Sequence, residues 1–261
     1  MSYLCKYLTP VRNKIHKHII LIYPYYVIHF IIKNLKTKLI SRFSTAPFIN
    51  PCSASDPNLN TCIEKVIAAA GPTFAKGIPE LGIAPLDPVQ LGKVVVDNPA
   101  LNIIFTDTVV TGLGDFTINS FKLNPDKGKA AIDFTANVTL KAHYDMNGQI
   151  LILPIRGNGQ AKIKITNLNI LVKYDYKTVD GHWVVTGYKD SYKMDRAQFK
   201  FNNLFGGNQQ LADTTGKFLN ENWNIIMQEI APPAIKGIIK SCVEEVKNFY
   251  GKVPAAELLT A

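Results

Sequence analysis

Between Asp213 and Tyr250 apolar residues return at helical spacing, and no other stretch limits the possible folds so strongly. Leu219, Trp223, Ile226, Met227 and Ile230 make the first part of the stripe. It resumes after Pro232-Pro233 at Ile235, Ile238, Ile239, Cys242, Val243, Val246, Phe249 and Tyr250. Asp213, Thr214 or Thr215 can accept an amide hydrogen bond at the start, and Gly251 and Pro254 give a stop. The two prolines cost no more than a kink, because each removes one internal hydrogen bond. A helix with so wide an apolar face has to be covered, and the spacing predicts that something extended and curved covers it.

The cover is legible upstream. A shorter helix begins after Asn60, where Thr61 and Glu64 stand at capping-box spacing and Leu59, Cys62, Ile63, Val66, Ile67 and Ala70 form a stripe. It is expected to end near Gly71-Pro72. Phe74 to Pro88, rich in Gly and Pro, reads as irregular connection. From Val89 the period becomes two. Ile132, Phe134, Ala136, Val138, Leu140 and Tyr144 alternate with Asp133, Thr135, Asn137, Thr139, Lys141 and His143, so one strand face meets a core and the other meets water. Asn147-Gly148, Asn158-Gly159 and Asp180-Gly181 read as hairpin turns. The strand after Gly159 changes phase between Ile165 and Leu168, as a β-bulge would make it do. These elements predict an α+β fold: a long C-terminal helix wrapped by a highly curved antiparallel sheet. An inner face filled by its own side chains is the alternative to a hollow one.

The chain has 261 residues and a formal charge of +9. Eight of its 29 basic residues and none of its 20 acidic ones lie in the first fifty, so the remainder carries 21 against 20. A nearly neutral body argues against nucleic acid as a partner. Ile19 to Ile32 is an apolar run preceded by basic residues, short for a spanning helix but suited to a secretory signal, with Ser44-Thr45-Ala46 as a small-residue cleavage stretch. Residues 1–46 are therefore expected to be a signal peptide or non-structural extension, and 47–261 one domain without a stable membrane span. A signal anchor or a misjoined first exon would read similarly. Cys52 and Cys62 bracket the polar loop Ser53 to Thr61, where a disulfide would staple the entering chain to the first helix. Zinc is a poor alternative, since no histidine lies near in sequence.

No catalytic constellation emerges. The body has only His143, on the polar face of its strand, and His182, in a turn beside Asp180. The glycine clusters match no phosphate loop. No enzyme, metal or cofactor is expected. Asn137-Val138-Thr139 is an N-glycosylation acceptor with Asn137 on the outward face.

Several motifs carry a resemblance. Cys52-Ser53-Ala54-Ser55-Asp56-Pro57-Asn58-Leu59-Asn60-Thr61-Cys62, the segment Leu81 to Pro88, and Phe201-Asn202-Asn203-Leu204-Phe205-Gly206-Gly207-Asn208 followed by Phe218-Leu219-Asn220-Glu221-Asn222-Trp223 resemble the insect takeout and haemolymph juvenile-hormone-binding family from Pro51 onward. The resemblance implies a secreted, extracellular monomer of TULIP-like architecture, an internal hydrophobic tunnel for a lipophilic ligand, and a Cys52–Cys62 disulfide. It also implies expression that follows feeding or a daily rhythm. The hormone-binding branch's second cysteine pair has no match here, which places the chain nearer the takeout branch. The tunnel is expected to be lined by Val66, Ile67, Phe134, Val138, Trp223, Ile226, Met227 and Ile230. Tyr144 and Tyr174, with Tyr176 and Thr135, are candidates to meet a polar head group. The expected partner is a small isoprenoid or fatty-acyl ligand, with a receptor as a further candidate. The competing reading is a secreted interaction protein acting through its surface.

Overall fold

The computed structural model describes residues 44–261, so the run Ile19 to Ile32 expected to act as a signal lies outside the described residues. The chain divides into two units, Met1–Pro47 and Phe48–Ala261, and the second is the domain described below. Its entry is tied down twice. Strand β1 (Cys52–Ser53) is later met in parallel by the C-terminal strand, and Cys52 is disulfide-bonded to Cys62 in the first turn of helix α1 (Leu59–Ala75). α1 runs through Pro72 and ends one turn later than the Gly-Pro pair suggests. The capping box does not form. Glu64 instead accepts the Phe121 amide at 2.8 Å, and Asn60 accepts that of Leu123 at 3.0 Å.

The sheet follows as β2 (Val89–Asp97), β3 (Leu101–Thr111), β4 (Thr117–Asn124), β5 (Lys129–Ile150), β6 (Leu153–Val179), β7 (His182–Lys193) and β8 (Arg196–Phe201). The long hairpin β5–β6 is its spine. β3 and β4 pair with β5 at different heights, β7 and β8 pair with β6 in the same way, and β2 extends the β3 side. α1 lies against β4, and its Glu64 and Asn60 satisfy amides that this strand would otherwise leave open at the sheet's border. The spine's turn falls at Leu151-Ile152, not at the Asn-Gly pairs, which lie inside the strands. The two glycines serve close approach instead. A Cβ on Gly148 would collide with the Ala100 carbonyl oxygen, and one on Gly159 would stand 2.7 Å from that of Asn202. The phase change in β6 is a bulge: Thr166 and Asn167 together face Asn137, with Asn167 at φ 50°.

Helices α2 (Gln209–Glu221) and α3 (Trp223–Lys252) follow, then α4 (Ala255–Leu258) and β9 (Leu259–Thr260), which pairs with β1. The single helical region read from sequence is therefore two, divided at Asn222. The start is capped by Asn208, whose side chain accepts the Leu211 amide at 3.1 Å, rather than by Asp213, Thr214 or Thr215. Pro232 and Pro233 lie within α3 without ending it.

The highly curved sheet wrapped about the helix is not what forms. The sheet is open, with β2 and β7 as unjoined ends of the pairing order. α3 keeps a solvent face on both sides of Pro232-Pro233, with Ile225 and Glu229 exposed before the prolines and Lys236, Lys240, Glu244 and Asn248 exposed turn by turn after them. All of these but Ile225 are polar or charged and have to reach water, so the sheet can cover only the opposite stripe. The result remains α+β and TULIP-like, a long helix on one face of a sheet. Ile103, Leu168, Ile170, Ile235, Ile238 and Ile239 are all at most 2 % exposed where the two meet.

Candidate ligand-binding cavity

The core between α3 and the sheet is solid along the helix's first turns and hollow along its last. The hollow measures about 240 Å³. α1 gives it Val66, Ile67, Ala70 and Phe74, and the sheet gives Phe121, Ile132, Phe134, Val172, Tyr174 and Val185. The end of α3 gives Cys242, Val243, Val246, Phe249 and Tyr250, and Phe48 and Ile49 close it from the entering chain. The void exists because rings brace its walls apart. Phe249 meets Phe74 edge-on at 5.6 Å, and Phe116 meets Phe134 at 5.8 Å. Glycine at residue 71 lets Phe116 lie close against α1, since a Cβ there would stand 2.5 Å from the ring and push one of the two aside. The neighbouring loop is fixed by the Asp87 carboxylate, which accepts the Gly114 amide at 2.8 Å and that of Gly112 at 3.1 Å. An apolar cavity of roughly 150 Å³ already admits a benzene-sized guest, so this space has room for a larger apolar group.

Among the described residues that line it, none is acidic, basic or histidine. The polar atoms are two hydroxyls and a thiol. Tyr174 and Tyr250 share a hydrogen bond of 2.8 Å between their oxygens. Burial pushes the Tyr250 hydroxyl up to about 12, and burial with Tyr250 alongside holds Tyr174 well above the ordinary tyrosine value. The Cys242 thiol is pushed up to about 12, again by burial. The cavity is therefore uncharged at neutral pH. In the tyrosine pair one hydroxyl donates to the other, which leaves one proton and spare lone pairs for a guest. Trp183 stands edge-on to Tyr250 at 5.3 Å and 4.9 Å from the Tyr176 ring, backing the pair with aromatic surface.

Of the residues named from sequence, Val66, Ile67, Phe134 and Tyr174 come together here. Val138, Tyr144, Ile226, Met227 and Ile230 lie in the solid core, each at most 5 % exposed, and Trp223 packs half-buried against it. Tyr144 gives its hydroxyl proton to the Asn202 carbonyl at 2.7 Å. Tyr176 belongs to a satellite cluster with Phe121 and Ala130, and the Thr135 hydroxyl accepts from Asn119 at 2.8 Å on the outer side of the sheet. Sequence reasoning missed Tyr250 as a polar lining residue. Its signal was present at the end of the helical stripe, but nothing local says that its hydroxyl meets Tyr174. Asn137 is exposed at the β6 bulge. Its side-chain oxygen accepts the Asn167 amide at 2.8 Å, which turns its nitrogen outward. His143 bonds Gln160 on the outer face, and His182 bonds the Asp180 carbonyl in a turn. Among the described residues no group of acidic, histidine or cysteine side chains could hold a metal ion, and no helix is long and apolar enough to cross a membrane.

Residues 29–260 match the family model described as "Haemolymph juvenile hormone binding protein (JHBP)". The "Circadian clock-controlled protein daywake" of Drosophila yakuba is 29 % identical over 208 residues, 72 % of this chain and 79 % of that one. Its Drosophila melanogaster counterpart is 28 % identical over 204 residues, 70 % of this chain and 77 % of that one. The crystal structure of Epiphyas postvittana Takeout 1 superposes with a TM-score of 0.77 at 32 % identity, covering 82 % of this chain and all of that one.

Proposed function

Because the chain belongs to the haemolymph juvenile hormone binding protein family, a secreted, extracellular and non-enzymatic carrier of a small lipophilic molecule, we propose that its cargo is an isoprenoid or fatty-acyl chain ending in an uncharged oxygen group. The observation that carries this reading is the cavity itself: apolar walls, one hydroxyl pair and, among the described residues, no cation. Each methylene taken out of water contributes about 0.8 kcal/mol before ordering costs. An ester, ketone, ether or alcohol oxygen can accept the proton left over by Tyr174 and Tyr250. An ionised carboxylate would lose its water with no counter-charge to replace it, so the free acid of the same chain is the poorer ligand. Val66, Ile67, Phe134 and Tyr174 are proposed to touch the chain. The two fruit-fly relatives are named for control by the circadian clock, and a daily rhythm of expression is proposed here too.

The test is competition between a long-chain acid and its methyl ester for a fluorescent lipophilic probe on the purified protein. The ester should displace the probe at least about tenfold more effectively, a difference of about 1.4 kcal/mol. Equal or better displacement by the acid would overturn the head-group reading. Val246→Trp, which fills the cavity, should abolish displacement by both, and unchanged uptake would remove the cavity from the proposal altogether.

A further inference from the structure

The solvent face of the sheet's spine carries a group of cations; Arg196 donates to the Asn220 carbonyl at 3.4 Å, and the four lysine side chains make no hydrogen bond or ion pair among the described residues. Inward residues Leu140, Ala142, Ala161, Ile163, Ala197 and Phe199 are buried, so their neighbours Lys141, Lys162 and Lys200 point out. These three lie in one row across β5, β6 and β8, Lys141 directly opposite Lys162 and Lys162 directly opposite Lys200. Lys164 follows two residues along β6, opposite Gln198, and Arg196 follows along β8. Directly opposed like charges destabilise a sheet. The ion pairs among the described residues, Lys129–Asp175 and Lys247–Glu244, involve none of these five. Among the described residues the carboxylates facing the same way are Asp145 and Asp107, on the β3 side of the row, Asp97 on β2, held by Asn102, Asp133 further along β5, held by Asn119 and Asn169, and Asp195, held by Asn167 beside Arg196. A local surplus of this kind stands out on a body that carries 21 basic and 20 acidic side chains.

We infer that this face docks on an anionic phospholipid membrane, a step that rests on the carrier reading only for its purpose. Four of the five cations are lysines, compact point charges without the fork that reads a fixed anion pair, and they stand on a sheet face rather than in a groove. That suits laterally mobile head groups better than one shaped polyanion. A second observation separates lipid from polysaccharide. The spine ends in Leu151-Ile152, where Ile152 is 84 % exposed and Leu151 is held at φ 54°, a conformation that favours glycine or asparagine over leucine. Arg156 is exposed four residues beyond this apolar tip on the same strand. An aliphatic tip on the same hairpin, roughly 30 Å along the strands from the lysine row at about 3.3 Å per residue, gains from an acyl boundary and gains nothing from a sulfated sugar.

The experiment is co-sedimentation of the secreted protein with phosphatidylcholine vesicles, with and without phosphatidylserine, at low and high salt. Binding should require phosphatidylserine and weaken with salt. It should fall roughly fivefold for each lysine removed, hence about a hundredfold in Lys141→Gln/Lys162→Gln/Lys200→Gln. The equally neutralised Lys76→Gln/Lys217→Gln/Lys252→Gln should keep most of its binding, and Ile152→Ser should lose part. Binding without charge preference, equal losses in both triple variants, or attachment to heparin but not to vesicles would overturn the proposal. Probe uptake into the cavity, measured on the same variants, should be unchanged, so failure of membrane docking and failure of the carrier reading are told apart.

Discussion

Tyr174 and Tyr250 show how one pair of atoms sets both the chemistry and the pH range of the fold. Removing either hydroxyl leaves its partner buried without a bond, at about 1–3 kcal/mol, whereas removing both leaves nothing unsatisfied. Tyr174→Phe and Tyr250→Phe should therefore each lower the denaturant midpoint, and the double variant should lose less than their sum. Burial also raises the folded-state pKa of Tyr250 and Tyr144 to about 12 from an ordinary 10.0, so the native state holds its phenolic protons longer than the unfolded chain. The associated stability is fully present below pH 10.0 and is lost as pH rises towards 12. Alkaline unfolding followed by tyrosinate absorbance should begin in that window, and a transition well below it would contradict the placement of these rings. Asn137, bonded through its oxygen and free at its nitrogen, is proposed to carry a glycan. The secreted protein should lose mass on enzymatic deglycosylation, and Asn137→Gln should not.

At the scale of elements, α1 is the wall that makes the cavity, and it is held by three unlike devices. The first is the disulfide at its start, across a sequence separation of 10. Replacing both cysteines by serine should cost about 3 kcal/mol on the loop-entropy account. The second is the pair Glu64 and Asn60, which fasten the helix to amides of β4. The third is the contact at Gly71, where the Phe116 ring lies almost on the helix backbone. Gly71→Ala should cost about 1–3 kcal/mol by overpacking, although alanine is the better helix former. A thermal melt at or above that of the parent would show that the ring can move aside.

For the whole molecule, an open sheet on one side of α3 means that the helix's outer stripe is surface. Lys236→Ala and Lys240→Ala should each change stability by less than about 0.5 kcal/mol, and a larger loss would mean that the sheet covers that side after all. Although the Asn147-Gly148 and Asn158-Gly159 pairs make the spine read as shorter strands, periodicity alone located the long helix, the shorter one before it and the alternating parts of β5 and β6, because burial of one face writes a period of 3.6 or 2 into the residues themselves. The bulge at Thr166-Asn167 was legible for the same reason, as a slip in that period. The turn of the spine was not. Asn-Gly pairs are local turn formers, and here backbone crowding from Ala100 and Asn202, distant in sequence, gives those glycines another task. The sequence by itself settled which faces are apolar, where the cysteine staple lies and that the chain has its family's motifs. Only the tertiary structure decided how far the sheet goes round the helix and which part of the apolar interior stays unfilled. A lining residue and a packed one have the same hydrophobicity, and what divides Val138 from Phe134 is whether side chains from other elements reach far enough to meet them.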